Sequence, residues 1–276
     1  MKKTLIALAL AATAVSGSAM AWTPNGQGGT MEFGGTITPQ PTDVTWMWKL
    51  GAGKTDFNAQ LSDLTNDGKK LSITNATDMP LLLGKLEHAF VGRVGIAPNI
   101  EFTGYDNVAI TPEWSGEEGS GTLTLPVKSG DGAKMGTFVM PVQGVGGLLW
   151  ALSDGTGGAQ SRHASGTSGA FKGGTGSWAS TPAMDAMDVI FKKFGTNDFN
   201  DLDAQLRAFP GLSNIAPDLS NIAGSTTAPL DQTNYVYTGT YALGVPAGKI
   251  IDVNFTNSVT TNTEWKAPLT IKISYI

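Results

Sequence analysis

The 276-residue chain carries 18 Lys and Arg against 23 Asp and Glu, a formal net charge of −5, with 36 Gly and 14 Pro. That balance argues against a nucleic-acid partner, whose phosphates need a dense basic surface, and abundant Gly with only 15% charged residues fits a β-rich fold with many turns. With no cysteine there is no disulfide, no thiol catalysis and no Cys–zinc site, so burial and strand pairing must hold the fold.

Residues 1–21 read as a signal peptide. Lys2 and Lys3 form a positive start, residues 5–15 an apolar run, and Ala19-Met20-Ala21 a small-x-small cleavage site. The apolar run is too short to span a bilayer, and no other apolar stretch is long enough to do so as a helix. The mature chain would start at Trp22. Residues 22–38 form an N-terminal extension: residues 23–29 are polar and Gly/Pro-rich, then Met31, Phe33 and Ile37 share one strand parity with Gly35 between them.

The main domain, residues 39–276, is predicted to be a β-sandwich. Trp46, Trp48 and Leu50 alternate, as do Leu71 and Ile73, Ile100 and Phe102, and Leu123, Leu125 and Val127. Leu81-Leu82-Leu83 reads as a strand covered on both faces or a short buried turn. Residues 135–142 form another strand, with Pro141 marking its end or an edge. Asn66-Asp67-Gly68, Gly104-Tyr105-Asp106-Asn107 and Ser129-Gly130-Asp131-Gly132 supply turns between them.

Residues 150–231 read as an insertion between strands. Its Gly/Ser/Thr-rich part, 153–180, is predicted to be long loops. A helix follows with Thr181 as N-cap, Pro182 in the first turn, an apolar row of Met184, Met187, Ile190 (or Val189) and Phe194, and Gly195 past its end. A second helix is predicted over residues 199–209, with Leu202, Leu206 and Phe209 on one face. Strands resume at Tyr235 and Tyr237, then Tyr241 and Leu243, then Ile251, Val253 and Phe255. The last carries Leu269, Ile271, Ile273 and Tyr275.

No motif points to catalysis. Gly51-Ala52-Gly53-Lys54-Thr55 lacks the first Gly of a phosphate loop, because that position is Trp48. Gly166-Thr167-Ser168-Gly169-Ala170 lacks both the last Gly of a nucleophile elbow and its leading apolar strand. His88 and His163 are the only histidines; both read as solvated loop residues, and two distant histidines make no metal site. Glu117-Glu118 reads as a solvated pair in a turn. No cofactor is implied. Trp150, Phe171 and Trp178, with Arg162 nearby, are candidate glycan-binding residues, since aromatic faces pack on sugars. The plainer reading is that they pin the insertion to the core.

The two ends matter together, because an unpaired strand edge must be covered somehow. A sandwich lacking one strand can receive it from another chain, and donation that does not close produces a filament. At this point the chain resembles a known family. Trp22, Gly34-Gly35-Thr36-Ile37-Thr38, Trp46-x-Trp48-Lys49, Leu64-Thr65-Asn66 and the tail from Trp265 through Ala267-Pro268-Leu269 to Tyr275 are similar to the FaeG-like major subunits and adhesins of enterobacterial chaperone–usher fimbriae. The resemblance implies an incomplete immunoglobulin-like sandwich, completed by the N-terminal strand of the next subunit. Met31, Phe33 and Ile37 would be the donor residues. Leu269, Ile271, Ile273 and Tyr275 would pair with a periplasmic chaperone and then border the acceptor groove. An outer-membrane usher, passage through the periplasm to a surface fimbrium, and host-glycan binding by the insertion are also implied. A disulfide common in such pilins is missing, and Thr263 stands where many carry Gly. The expected function is therefore a polymerising, adhesive fimbrial subunit and not an enzyme. The alternatives are a minor subunit without adhesive role, a secreted glycan-active enzyme on a β-sandwich, or an outer-membrane barrel, which the helical insertion disfavours.

Overall fold

The computed structural model describes residues 46–276 other than 116, 165, 167, 179, 181, 182, 217 and 227–229. The predicted signal peptide, the extension with Met31, Phe33 and Ile37, and the predicted cap residues Thr181 and Pro182 lie outside the described residues.

In chain order the elements are β1 (Trp46–Leu50), β2 (Lys70–Thr74), β3 (Met79–Leu86), β4 (Phe90–Val91), β5 (Pro98–Thr103), β6 (Ala109–Ile110), β7 (Glu113–Trp114), β8 (Ser120–Ser129), β9 (Lys134–Leu152) and β10 (Gln160–Ala164). Then come α1 (Met184–Phe194), α2 (Phe199–Ala208), β11 (Asp218–Thr226), β12 (Tyr235–Val245), β13 (Ile250–Phe255), β14 (Trp265–Lys266) and β15 (Thr270–Tyr275). The fold is mainly β, an open sandwich. One sheet follows the order β1-β3-β12-β9-β10-β11, with β13, β2, β8, β7, β14 and β4 branching from it; a second is β15-β5-β6. The ladders are antiparallel except that of β10 with β11.

Strand β9 is far longer than its sequence suggests, and Pro141 lies inside it rather than at its end. Residues 136–139 pair with β13 and residues 143–152 with β12. Pro141 falls in the gap between those two ladders while facing Thr122 of β8 on the other side. A residue without an N–H is tolerated where no partner claims that edge.

The Leu81–Leu83 run is a strand, and its neighbours explain its continuous apolarity. Leu82 joins Leu148, Tyr241 and Leu243 in the sandwich core, whereas Leu83 joins Leu149, Val236 and Ala242 under the two helices. The helices thus form a further layer on the outer face of β3, β12 and β9. Helix α1 buries Met187, Ile190, Phe191 and Phe194 and leaves Val189 63% exposed, which settles the choice at that row. Each such buried side chain contributes about 1.5–3 kcal/mol. Gly195, at φ 85°, ends α1 in the left-handed conformation that glycine adopts without strain. Asp198 caps α2: its Oδ1 accepts from the Asp201 N–H at 3.0 Å, and Asp201 Oδ2 accepts from the Asp198 N–H at 3.1 Å. The helices are joined where Asp188 Oδ1 accepts from the Phe199 N–H at 3.0 Å and Lys192 Nζ meets Asp198 Oδ2 at 2.8 Å.

The stretch read as long loops holds a strand. β10 pairs antiparallel with the end of β9, matching Gln160 with Trp150 and His163 with Gly147. Its residues are small or polar, so the alternation that reveals other strands is absent.

Candidate functional site

Among the described residues the C-terminal strand β15 has one neighbour. It pairs with β5, setting Ile271 opposite Phe102, Ile273 opposite Ile100 and Tyr275 opposite Pro98. No strand among the described residues pairs with its other edge. The inward row is longer than predicted: Trp265, Ala267, Leu269, Ile271 and Ile273 are half-buried against the sandwich core, alternating with exposed Lys266, Pro268, Thr270 and Lys272. The sequence signal for Trp265 and Ala267 was present as the same parity, hidden by Pro268 and by the small size of Ala.

Among the described residues strand β1 is likewise paired on one side only, with β3. Trp46, Trp48 and Leu50 share a face. Trp46 is 8% exposed, Trp48 is half-buried, yet Leu50 is 65% exposed. An apolar residue on the inward face of an edge strand stays this open only where nothing covers it. The open edges of β1 and β15 come together at one end. Trp48 Nε1 donates to the Tyr275 hydroxyl at 3.0 Å, Trp46 Nε1 donates to the Ile96 carbonyl at 3.0 Å, and the neighbouring Ala97 exchanges backbone hydrogen bonds with Ile276 at 3.3 and 3.0 Å. β1 running from 46 to 50 therefore follows β15 backwards from its C-terminal end.

The candidate aromatic residues of the insertion are dispersed. Phe171 is fully buried, stacked on Tyr241 at 5.2 Å and edge-on to Trp46 at 5.2 Å. This corrects its reading as a sugar platform: the ring lies wholly inside the core. Trp178 is half-buried against the helical cluster. Trp150 is half-buried with its ring edge-on to Tyr235 at 4.5 Å; the Arg162 guanidinium lies 5.8 Å from it and donates to Gln160 Oε1 at 2.8 Å. The structure therefore groups Trp150 with Arg162 and separates them from Trp178 and Phe171.

His163 also departs from its solvated reading. It is 5% exposed on β10, and its Nδ1 has no hydrogen-bond partner among the described residues. Burial lowers its pKa from the ordinary 6.5 to about 4. The folded state holds this imidazole neutral, so as pH falls the unfolded chain protonates first. Stability from this residue is present above pH 6.5 and is lost between 6.5 and about 4. The full loss is about 3 kcal/mol. From pH 7 to 4 the urea midpoint of wild type should fall further than that of His163→Leu; parallel curves would refute the assignment.

Two comparisons bear on what an open-edged sandwich of this kind does. The family of major and minor fimbrial subunits of the K88 type matches residues 1–276. The K88 fimbrial protein AC of Escherichia coli is 36% identical over 285 residues, covering 100% of both chains. This chain belongs to the K88 family of fimbrial subunits. Within that family it is also 31% identical over 289 residues to the F41 fimbrial protein of Escherichia coli, again over 100% of both. The K88 minor fimbrial subunit FaeI of the same organism is 28% identical over 139 residues, which is 49% of this chain and 53% of that one. The molecule is accordingly a structural fimbrial subunit. The relatives it matches are fimbrial proteins, among them a minor fimbrial subunit. No helix of the described residues is long and apolar enough to cross a membrane.

Proposed function

We propose that this fimbrial subunit polymerises by donor-strand exchange, in which residues 31–37 of one copy pair with the open edge of β15 in the next. The single observation that supports this reading is the half-buried row 265–273, which ends in β15, a strand whose second edge is unpaired among the described residues and which lies near β1. A strand laid there would hydrogen-bond along β15 and set alternate side chains over the exposed core.

Direction follows from connectivity. The chain upstream of Trp46 joins the body at the end where Ile276 lies. In a head-to-tail stack that end abuts the opposite end of the next body. The extension then enters the next groove beside residue 269 and runs towards Tyr275, antiparallel to β15. The seven residues 31–37 match the seven residues 269–275, placing Met31 opposite Tyr275, Phe33 opposite Ile273, Gly35 opposite Ile271 and Ile37 opposite Leu269. Before assembly a periplasmic chaperone would cover the same edge, and an outer-membrane usher would pass the subunit to the surface after removal of residues 1–21.

Adhesion is the second part of the proposal. The half-buried Trp150 ring beside the Arg162 guanidinium offers a stacking face and donors to a host glycan. Trp150→Ala fibres should lose binding to a glycan array while assembling normally.

One gel tests the assembly mechanism. Surface extract run unboiled should give a ladder of multimers that collapses to monomer on boiling without reductant. A ladder that survives boiling, or monomer in both lanes, would remove non-covalent strand exchange.

A further inference from the structure

Beyond the β15 edge the same row runs into a cleft. It has a volume of about 1010 Å³, and Phe57, Leu64, Phe138, Phe255, Trp265 and Ala267 are among its lining residues. Phe57 and Trp265 lie parallel, ring centroids 6.4 Å apart and 9° between planes, and Trp265 packs on Phe138 at 5.9 Å. Strand β14, which carries Trp265, pairs among the described residues only with β8. The cleft thus continues the half-buried row past Leu269 at the end of the body remote from Ile276.

We infer that this cleft receives Pro39-Gln40-Pro41 of the neighbouring subunit, so that the linker as well as the donor strand is bound. The inference rests on the strand-exchange reading. Carrying its register onward from Ile37 opposite Leu269 places Pro39 level with Ala267 and Pro41 level with Trp265, all on the inward parity. Proline fixes φ near −65° and so pre-orders an extended segment, whose rigid rings can pack on aromatic side chains at low entropic cost. Four residues, 42–45, remain to reach the neighbour's own β1; fully extended they span about 13 Å, so docking at Pro41 holds the two bodies close. The cleft would therefore set the angle and stiffness between consecutive subunits.

The absence of cysteine makes a direct test available. Fibres of the full chain carrying Pro39→Cys with Ala267→Cys are oxidised mildly and boiled without reductant. Residues directly opposite across such a register are close enough to bridge. A covalent ladder abolished by reductant is expected, and Phe33→Cys with Ile273→Cys is expected to ladder likewise. A ladder from the strand pair with none from the cleft pair overturns the cleft inference alone. Fibres with neither ladder overturn strand exchange itself. As a second readout, Pro39→Ala/Pro41→Ala, which leaves the body unaltered, should raise the rate of fibre dissociation in urea about tenfold. A wild-type rate would overturn the inference.

Discussion

Deletion of residues 23–37 is expected to abolish fibres while leaving subunits that can still accept a strand. In the proposed exchange Met31, Phe33 and Ile37 would bury three apolar side chains in the neighbouring subunit, about 4.5–9 kcal/mol in all. That is roughly three to six powers of ten in subunit dissociation, before any hydrogen bond along β15 is counted. Without the extension the row Leu269, Ile271 and Ile273 keeps its open edge, and nothing links one body to the next. Phe33→Asp is the sharper version, since it changes one side chain and leaves the backbone able to pair. A carboxylate set against Ile273 would lose its hydration without a partner, a cost of several kcal/mol. Both variants should give no heat-sensitive ladder on the cell surface. Co-expressed with wild type, the deletion subunit should shorten fibres, because it accepts a donor and offers none. Normal fibres from either variant alone would sink the proposal.

The second large effect concerns the body. Phe171→Ala should destabilise the fold by about 3–5 kcal/mol. The ring is fully buried between Tyr241 and Trp46, and it lies over Gly146, where an added Cβ would come within 2.4 Å of it. Its backbone matters too. The Phe171 N–H donates to the Pro98 carbonyl at 2.6 Å, and the Ile100 N–H donates to the Lys172 carbonyl at 2.8 Å. The insertion is thereby fastened to β5, the one partner of β15 among the described residues. Loss of the ring should loosen the acceptor edge as well as the core, lowering both the urea midpoint and fibre yield. Trp178→Ala, half-buried over the helices, should cost less. Equal effects from the two would show that Phe171 is not the principal anchor.

Reading residues in chain order revealed the elements whose side chains alternate in size or polarity. β1, β5, β13 and β15 announce themselves because one face of each is apolar, and α1 and α2 because their apolar residues recur at helical spacing. The family resemblance lay in short motifs at the two ends, and the match over the whole chain bears it out. Elements made of small or polar residues gave no such signal. β10 was hidden in a Gly/Ser stretch, and His163 looked solvated because burial on its strand comes from β9 and from residues distant in sequence. Phe171 could equally have been a binding platform or an anchor; only packing against Tyr241 and Trp46 decided it.

Alternation is a property of neighbouring residues, so the apolar face of residues 269–275 is legible along the chain. Whether the edge of that strand is satisfied is a property of pairing across some 170 residues, and it emerges only from the fold. β15 lies against β5 on one side and meets no described strand on the other. Backbone hydrogen bonding is indifferent to side-chain identity, so an open edge leaves no mark in the residues that form it.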